Sequence, residues 1–246
     1  MKLSLRDFLP PLLSHAMKEV KRDVFLGGST GLYGLDLKLI HEIRPRKNGY
    51  FVELGANDGV RQSNTYKLQK NYGWTGLLVE PSPVRFRECI VNRSFRNIPS
   101  VVCAACVPFG FDGRFVEIQD SDLMSVAMGM DVSDEDAISH ADLGRKYLDS
   151  PLMRYSYGAH ARTLNSLLDD VGAPSRFDLL SLDVEGNELS VLKGINFSSY
   201  RPEWILVEVR HAEVAAYLEA NGYCEHARLW TCDRYADILY RRGSLI

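Results

Sequence analysis

The feature that most constrains this chain is an apolar run at residues 50–54 that ends in Gly55-Ala56-Asn57-Asp58-Gly59 and is followed by a second apolar run closing on Glu80. A strand that runs into glycine can turn sharply and bring its backbone close to whatever lies beyond the strand end. The spacing is Gly-x-x-x-Gly, not the Gly-x-Gly-x-x-Gly that sets a helix N-terminus against a dinucleotide's pyrophosphate. Glu53 and Asp58 flank the turn, and carboxylates there suit a cation better than a phosphate. Glu80 follows about 20 residues later, where an acid at a strand end accepts both hydroxyls of a ribose. Taken singly, each half is weak, since a Gly-rich strand end is often only a turn and a terminal acid is often only solvated. Together they describe a pocket for a nucleoside with a cationic tail, and S-adenosylmethionine, which carries a sulfonium and an ammonium but no phosphate, has that chemistry.

Beyond this unit, short apolar runs alternate with helical segments, the pattern of a largely parallel sheet covered on both faces. Strands are expected at 50–54, 76–79, 101–107, 115–119, 179–183 and 204–209, and helices at 64–71, 84–92, 163–170, 188–193 and 211–220. Runs at 226–230 and 238–241 suit a C-terminal antiparallel pair. The fold class is therefore α/β, a Rossmann-like and mostly parallel sheet spanning 46–246. Residues 1–45 form a helical cover: Leu12, Leu13, Ala16, Met17 and Val20 recur at helical spacing, and a second helix at 35–43 is stopped by Arg44-Pro45. Lys18, Lys21 and Arg22 leave open a membrane-surface role for the first of these. Residues 120–161, rich in Met, Ser, Asp and Tyr, keep no clean period. A long irregular insertion on the route to the sheet's carboxyl edge reads as a lid or recognition segment.

A formal net charge of -3 with scattered Lys and Arg gives no attraction for a polyanion, so nucleic acid is not an expected partner. The longest apolar runs fall far short of the ~20 residues of a membrane span, and no signal-peptide run is present, so the cytoplasm is the expected compartment, with membrane-peripheral attachment as the alternative. Cys103 and Cys106 have metal-pair spacing, but no second pair completes a site and both sit in an apolar run, which favours small buried side chains.

Three stretches, residues 51–65 (FVELGANDGVRQSNT), 73–83 (GWTGLLVEPSP) and 162–170 with 177–194 (RTLNSLLDD, FDLLSLDVEGNELSVLKG), resemble the FkbM family of methyltransferases. Ser63-Asn64-Thr65 and Asp183-Val184-Glu185-Gly186 are hallmarks of that family, and the resemblance covers most of residues 33–210. It implies a class I Rossmann-like methyltransferase that uses S-adenosylmethionine to methylate oxygen, commonly on sugars of glycans, glycolipids or glycosylated natural products, or on polyketides. Carried over, Glu53, Gly55, Asn57 and Asp58 would surround the methionine half of the cofactor. Glu80 would hold the ribose with Ser82 beside it, and Ala104-Ala105 would border the adenine. Asp183 would lie next to the departing methyl, with Glu185 and Glu188 on the following turn and helix, and Glu208, Arg210 and His211 would end the next strand.

A sugar hydroxyl holds its proton far above neutral pH, so the chain must align the acceptor and remove that proton. His211, just beyond a strand end, is the preferred base, with an ordinary helix-start histidine as the plain alternative, and His160 is a second candidate. Asp183, Glu185 and Glu208 raise the further option of a Mg²⁺ that acidifies the hydroxyl. Met124, Met128, Met130, Tyr147, Tyr155 and Tyr157 could wall an acceptor site or form the insertion's own small core. Two readings from other classes remain: an NAD-dependent oxidoreductase sharing the ribose acid, and a non-catalytic interaction protein that kept the fold.

Overall fold

The computed structural model describes residues 28–144 and 155–243. The helix expected within 3–25 and Tyr147 lie outside the described residues. A 3-10 turn at Leu32–Gly34 leads into α1 (Leu35–Ile43), followed by β1 (Tyr50–Leu54), α2 (Tyr66–Tyr72), β2 (Thr75–Val79), α3 (Pro83–Asn92), β3 (Ser100–Val102), β4 (Ala105–Cys106), β5 (Phe115–Gln119), β6 (Val126–Ala127) and α4 (Asp134–Leu143). After the gap come β7 (Ser156–Arg162), α5 (Leu164–Asp170), β8 (Arg176–Leu182), α6 (Glu188–Leu192), β9 (Arg201–Val209), α7 (Ala212–Ala220), β10 (Tyr223–Thr231) and β11 (Ala236–Arg242).

Seven strands form the main sheet in the order β10-β11-β9-β8-β1-β2-β3. All pairings are parallel except those of β11, which runs antiparallel between β9 and β10. From β1 the chain steps outward through β2 to β3, then returns to β8 on the other side of β1. The strand order therefore reverses at β1 and β8, and the carboxyl ends of those two strands open the crevice in which ligands of open α/β sheets bind.

Side-chain alternation divides the core into two layers. Val52, Leu54, Leu180, Leu182, Ile205 and Val207 pack with α5, α6 and α7, whereas Phe51, Leu179, Trp204, Leu206 and Leu239 pack with α1, α2 and α3. Both faces are covered, which is why the central strands read as continuous apolar runs. The architecture is the α/β Rossmann-like fold expected from the sequence, with its antiparallel C-terminal strand.

Two local differences bear on the site. The apolar run 101–107 is not one strand: β3 pairs with β2, and β4 pairs in parallel with β7 in a second, four-stranded sheet of order β4-β7-β5-β6. The break falls at Cys103-Ala104, where the chain leaves the main sheet and lays Ala104 and Ala105 along the crevice. Cys103 and Cys106 are free thiols in the described structure, and Cys106 is buried. The described part of the insertion is also more ordered than its sequence suggests. Ser133 caps α4 by accepting from Asp136 N, and Asp134, Glu135 and Asp136 fill the first turn, where negative charge is favoured.

Candidate functional site

A cleft of about 850 Å³ opens at the carboxyl ends of β1, β2 and β8. Gly55, Asn57, Glu80, Ala104, Ala105, Asp183 and Glu185 line it from the main sheet, and Ile118, Asp122, Leu123 and Met130 close it from the insertion side.

The turn after β1 is folded onto itself. Gly55 N and Ala56 N donate to Val79 O, Asn57 N to Glu80 Oε2, Asp58 N to Asn57 Oδ1, Gly59 N to Ala56 O, and Val60 N and Arg61 N to Asp58 Oδ1. Every amide from Gly55 to Arg61 is thus spent internally, and none is left to cradle a phosphate. Gly55 has φ 76°, and a Cβ there would lie 2.0 Å from the Asp183 carbonyl oxygen. Glycine is needed to let β1 and β8 meet at the floor of the cleft.

Glu80 is 7% exposed. Its Oε2 accepts from Asn57 N at 2.7 Å and its Oε1 from Ser82 N at 2.8 Å, which orients the carboxylate and leaves each oxygen further acceptor capacity. Burial pushes its pKa up to about 7, against the pull of these two amides and Arg85. Ser82 itself is buried as the N-cap of α3, accepting from Arg85 N.

Glu53 sits behind the turn. It is 3% exposed, accepts from Ser63 Oγ, Asn64 N and Thr65 Oγ1 at 2.6 to 2.9 Å, and lies 3.7 Å from Arg93 Nη1. Arg93, fully buried, donates to Gln69 Oε1, Gly59 O, Ser63 Oγ and Thr65 Oγ1 and lies over the Phe51 and Tyr66 rings. The Ser63-Asn64-Thr65 triplet is thereby occupied with Glu53, and α2 begins only at Tyr66, later than expected from the sequence. Asp58, expected beside the ligand, instead caps the turn through its amide bonds.

The opposite wall is crowded with acid. Asp183 is exposed to the cleft, yet the surrounding protein and Glu185, Asp237 and Glu188 drive its pKa well above the ordinary range, with Arg210 opposing. Glu208 is buried and is raised in the same way by desolvation, Asp183 and Glu185. Burial also lifts Glu188 to about 7, although its Oε1 accepts from Val184 N and Gly186 N. Arg210 is the shared counter-ion, donating from Nε to Glu208 Oε1 at 2.6 Å and from Nη2 to Glu185 Oε2 at 2.7 Å. His140 Nε2 meets the same Glu185 oxygen at 2.6 Å. A guanidinium therefore stands between Glu185 and Glu208, and among the described residues no three His, Cys, Asp or Glu side chains gather as a metal site. Of the sequence-expected trio Asp183, Glu185 and Glu208, the last two are joined through Arg210.

Other sequence candidates fall elsewhere. His211 is exposed at the N-cap of α7, makes no side-chain cap bond and is not part of the cleft lining. His160 is exposed on β7, edge-on to Phe115, and Tyr155 is exposed and packs on Tyr157. The Tyr157 hydroxyl is buried near Ser82 but makes no well-formed hydrogen bond among the described residues. Met130 lines the cleft, whereas Met128 packs on Val126, Ala137 and Ala141 within the insertion.

Sequence reading missed the stitching that holds the insertion over the cleft. Asp131 accepts from Ser190 N and Oγ, Asn187 Nδ2 donates to Ala127 O, and Asp122 pairs with both Arg61 and Arg85. No short motif marks these contacts, because each joins segments far apart in sequence. Among the described residues no helix is long and apolar enough to cross a membrane.

Comparison with known proteins adds family membership to this geometry. No curated protein matches the sequence significantly. Among solved structures, the chain is similar to a methyltransferase FkbM from Methylobacillus flagellatus KT, with 16% identity over 79% of this chain and a TM-score of 0.46. The chain spans 43% of that structure's length. It is also similar to a precorrin-6y C5,15-methyltransferase from Geobacter metallireducens GS-15, at 12% identity, 86% and 88% coverage of the two chains and a TM-score of 0.45. A third similarity is to M. capricolum TrmK in complex with S-adenosyl-homocysteine, at 7% identity, 88% and 72% coverage and a TM-score of 0.44. At these scores the structural likenesses add nothing to the strand order already described. Residues 53–224, well over half of the chain, match the family described as "Methyltransferase FkbM domain". The fold is that of a class I Rossmann-like methyltransferase, and the chain belongs to the FkbM methyltransferase family.

Proposed function

We propose that this methyltransferase uses S-adenosylmethionine to methylate a hydroxyl of a sugar in a glycan, glycolipid or glycosylated small molecule. The observation that carries the cofactor reading is the turn after β1, whose amides from Gly55 to Arg61 are all spent within the protein. A pyrophosphate would need those donors, so the turn favours a cofactor without one over NAD. Glu80, oriented by two amides, would accept a ribose diol. Ala104 and Ala105 leave room for a flat base, and the oxygens of Asn57 and Asp183 suit a cationic tail.

When bound, S-adenosylmethionine supplies an activated methyl on a sulfonium. The protein's remaining task is to align the acceptor oxygen and take its proton. Asp183 fits that task better than His211, because it faces the cleft and desolvation, together with its neighbouring acids, makes its carboxylate more basic than usual. Arg210 and Glu208 would hold Asp183's surroundings in place, and no step in this reading needs a metal. The carbohydrate acceptor rests on the family resemblance and on the aromatic and acidic side chains beyond Asp183.

The test is methyl transfer from methyl-labelled S-adenosylmethionine to a panel of oligosaccharides, glycolipids and glycosylated metabolites. Label in an alkali-stable methyl ether, lost in Asp183→Asn, is the expected result. Label that appears only in nitrogen or sulfur acceptors would overturn the oxygen assignment.

A further inference from the structure

Beyond Asp183 the sheet edge carries a group of side chains that the methyl-transfer chemistry does not use. Glu208 on β9, Asp237 on β11 and Trp230 on β10 are successive cross-strand partners, so they stand side by side on the face that also carries Leu206 and Leu239. That face is covered by α1, and the turn before α1 brings Tyr33 flat against Trp230, with ring centroids 4.0 Å apart and planes inclined by 11°. Tyr33 is held there with φ 52°, a left-handed conformation that a bulky residue adopts only when its surroundings impose it. One face of its ring is spent on Trp230, yet the residue stays 54% exposed.

Asp237 is the second anomaly. It is only 8% exposed, and among the described residues its carboxylate has no hydrogen-bond or ion-pair partner. Its oxygens are not sealed off, since they are not among the fully buried unpartnered atoms, so the carboxylate is open to a ligand's hydroxyls. Burial lifts its pKa to about 6, while Lys38 and Arg210 hold it down. The Lys38 ammonium is tied to Leu229 O at 2.9 Å, and Arg210 is gripped by Glu185 and Glu208, so both cations offset Asp237 at a distance without bonding to it. Asp237 lies within electrostatic reach of Asp183 on the cleft side and of Tyr235, which in turn feels Tyr33.

Resting on the carbohydrate reading above, we infer that Tyr33 and Asp237 form the acceptor subsite of this enzyme, the open face of Tyr33 stacking on the C–H face of a neutral sugar ring and Asp237 accepting its hydroxyls. Aromatic rings offer a flat apolar surface, and a carboxylate can accept from two neighbouring hydroxyls at once. A cationic acceptor fits less well, because it would enter beside Lys38 and Arg210. The subsite lies on the β11 side of Asp183, away from the pocket bordered by Glu80 and Ala104, so an acceptor held there approaches Asp183 from the side opposite the cofactor.

Saturation-transfer NMR with a set of methyl glycosides, run in the presence of S-adenosyl-homocysteine, tests this. The wild-type protein should saturate ring protons of at least one glycoside. Asp237→Asn and Tyr33→Leu should each weaken that affinity by roughly tenfold, with Tyr33→Phe near wild type and binding of S-adenosyl-homocysteine unchanged by calorimetry. Equal glycoside affinity in Asp237→Asn and Tyr33→Leu would overturn the subsite. So would saturation of simple primary amines in place of glycosides, or no response from any glycoside while S-adenosyl-homocysteine binds. Failure of S-adenosyl-homocysteine to bind would instead remove the cofactor reading, and a glycoside response that still depended on Tyr33 and Asp237 would leave the subsite standing.

Discussion

His140 Nε2 lies 2.6 Å from Glu185 Oε2, the same oxygen that Arg210 Nη2 holds at 2.7 Å. The helix α4 of the insertion is thus fastened to the turn that follows β8, one residue beyond Val184 and two beyond the cleft carboxylate Asp183. Together with the Asp131 and Asn187 bonds, this makes the insertion a fixed wall of the cleft in the described structure.

Removing the imidazole should loosen that wall. His140→Ala is expected to lose roughly 1 kcal/mol of local stability, seen as about fivefold faster amide exchange across α4 with little change in the main sheet. Unaltered exchange in α4 would mean that the Asp131 and Asn187 bonds alone hold it.

Glu80 makes stability depend on pH. Its pKa rises from 4.5 in the ordinary state to about 7 in the fold because burial disfavours the charge. Between those values the native state keeps a proton that the unfolded chain has released, so the group's stabilising contribution is complete below the lower value and lost as pH rises through the upper one. The thermal midpoint of the ligand-free protein should therefore fall between about pH 5 and about pH 8, with Glu80 contributing on the order of 3 kcal/mol, or several degrees. Glu80→Gln should flatten its share of that fall, and Glu188 and Asp237 should retain theirs. A midpoint that rises with pH over this window would contradict the burial assigned to these acids.

Arg93 and Glu53 should behave as one unit. Arg93→Met leaves the Glu53 carboxylate buried beside Ser63 and Thr65 without its cation, a change that costs about 3–5 kcal/mol in comparable buried pairs. Adding Glu53→Gln should recover part of the loss, so that urea denaturation gives a double variant more stable than the sum of the singles. Strict additivity would show that the two residues act separately.

These networks explain what the sequence could and could not disclose. The strand into Gly55, the acid at Glu80 and the alternation of strands and helices are local patterns, and the fold follows from them. The carboxylate of Glu53 looked like a ligand group because its position at the strand end is local information. Its actual partners at Ser63, Thr65 and Arg93 come from two other elements. The insertion hid its order because β6 is two residues long and α4 carries little apolar periodicity beyond Ala137 and Ala141. His211 looked poised at a strand end, but whether a side chain there faces the cleft depends on how α7 leaves the sheet, which no periodicity records. Asp237 drew no notice at all, since its lack of a partner exists only in three dimensions.

The central claim is that the crevice between β1 and β8 holds a nucleoside cofactor through Glu80 and without phosphate donors. Titration calorimetry of S-adenosyl-homocysteine and of NADH into the wild-type protein and Glu80→Ala tests it most directly. S-adenosyl-homocysteine should bind the wild type one to one, lose at least roughly tenfold in affinity in Glu80→Ala, and meet no competition from NADH, since each hydrogen bond to a charged group contributes about 1.5–3 kcal/mol. Binding that is absent in the wild type, indifferent to Glu80, or displaced by NADH would contradict the account.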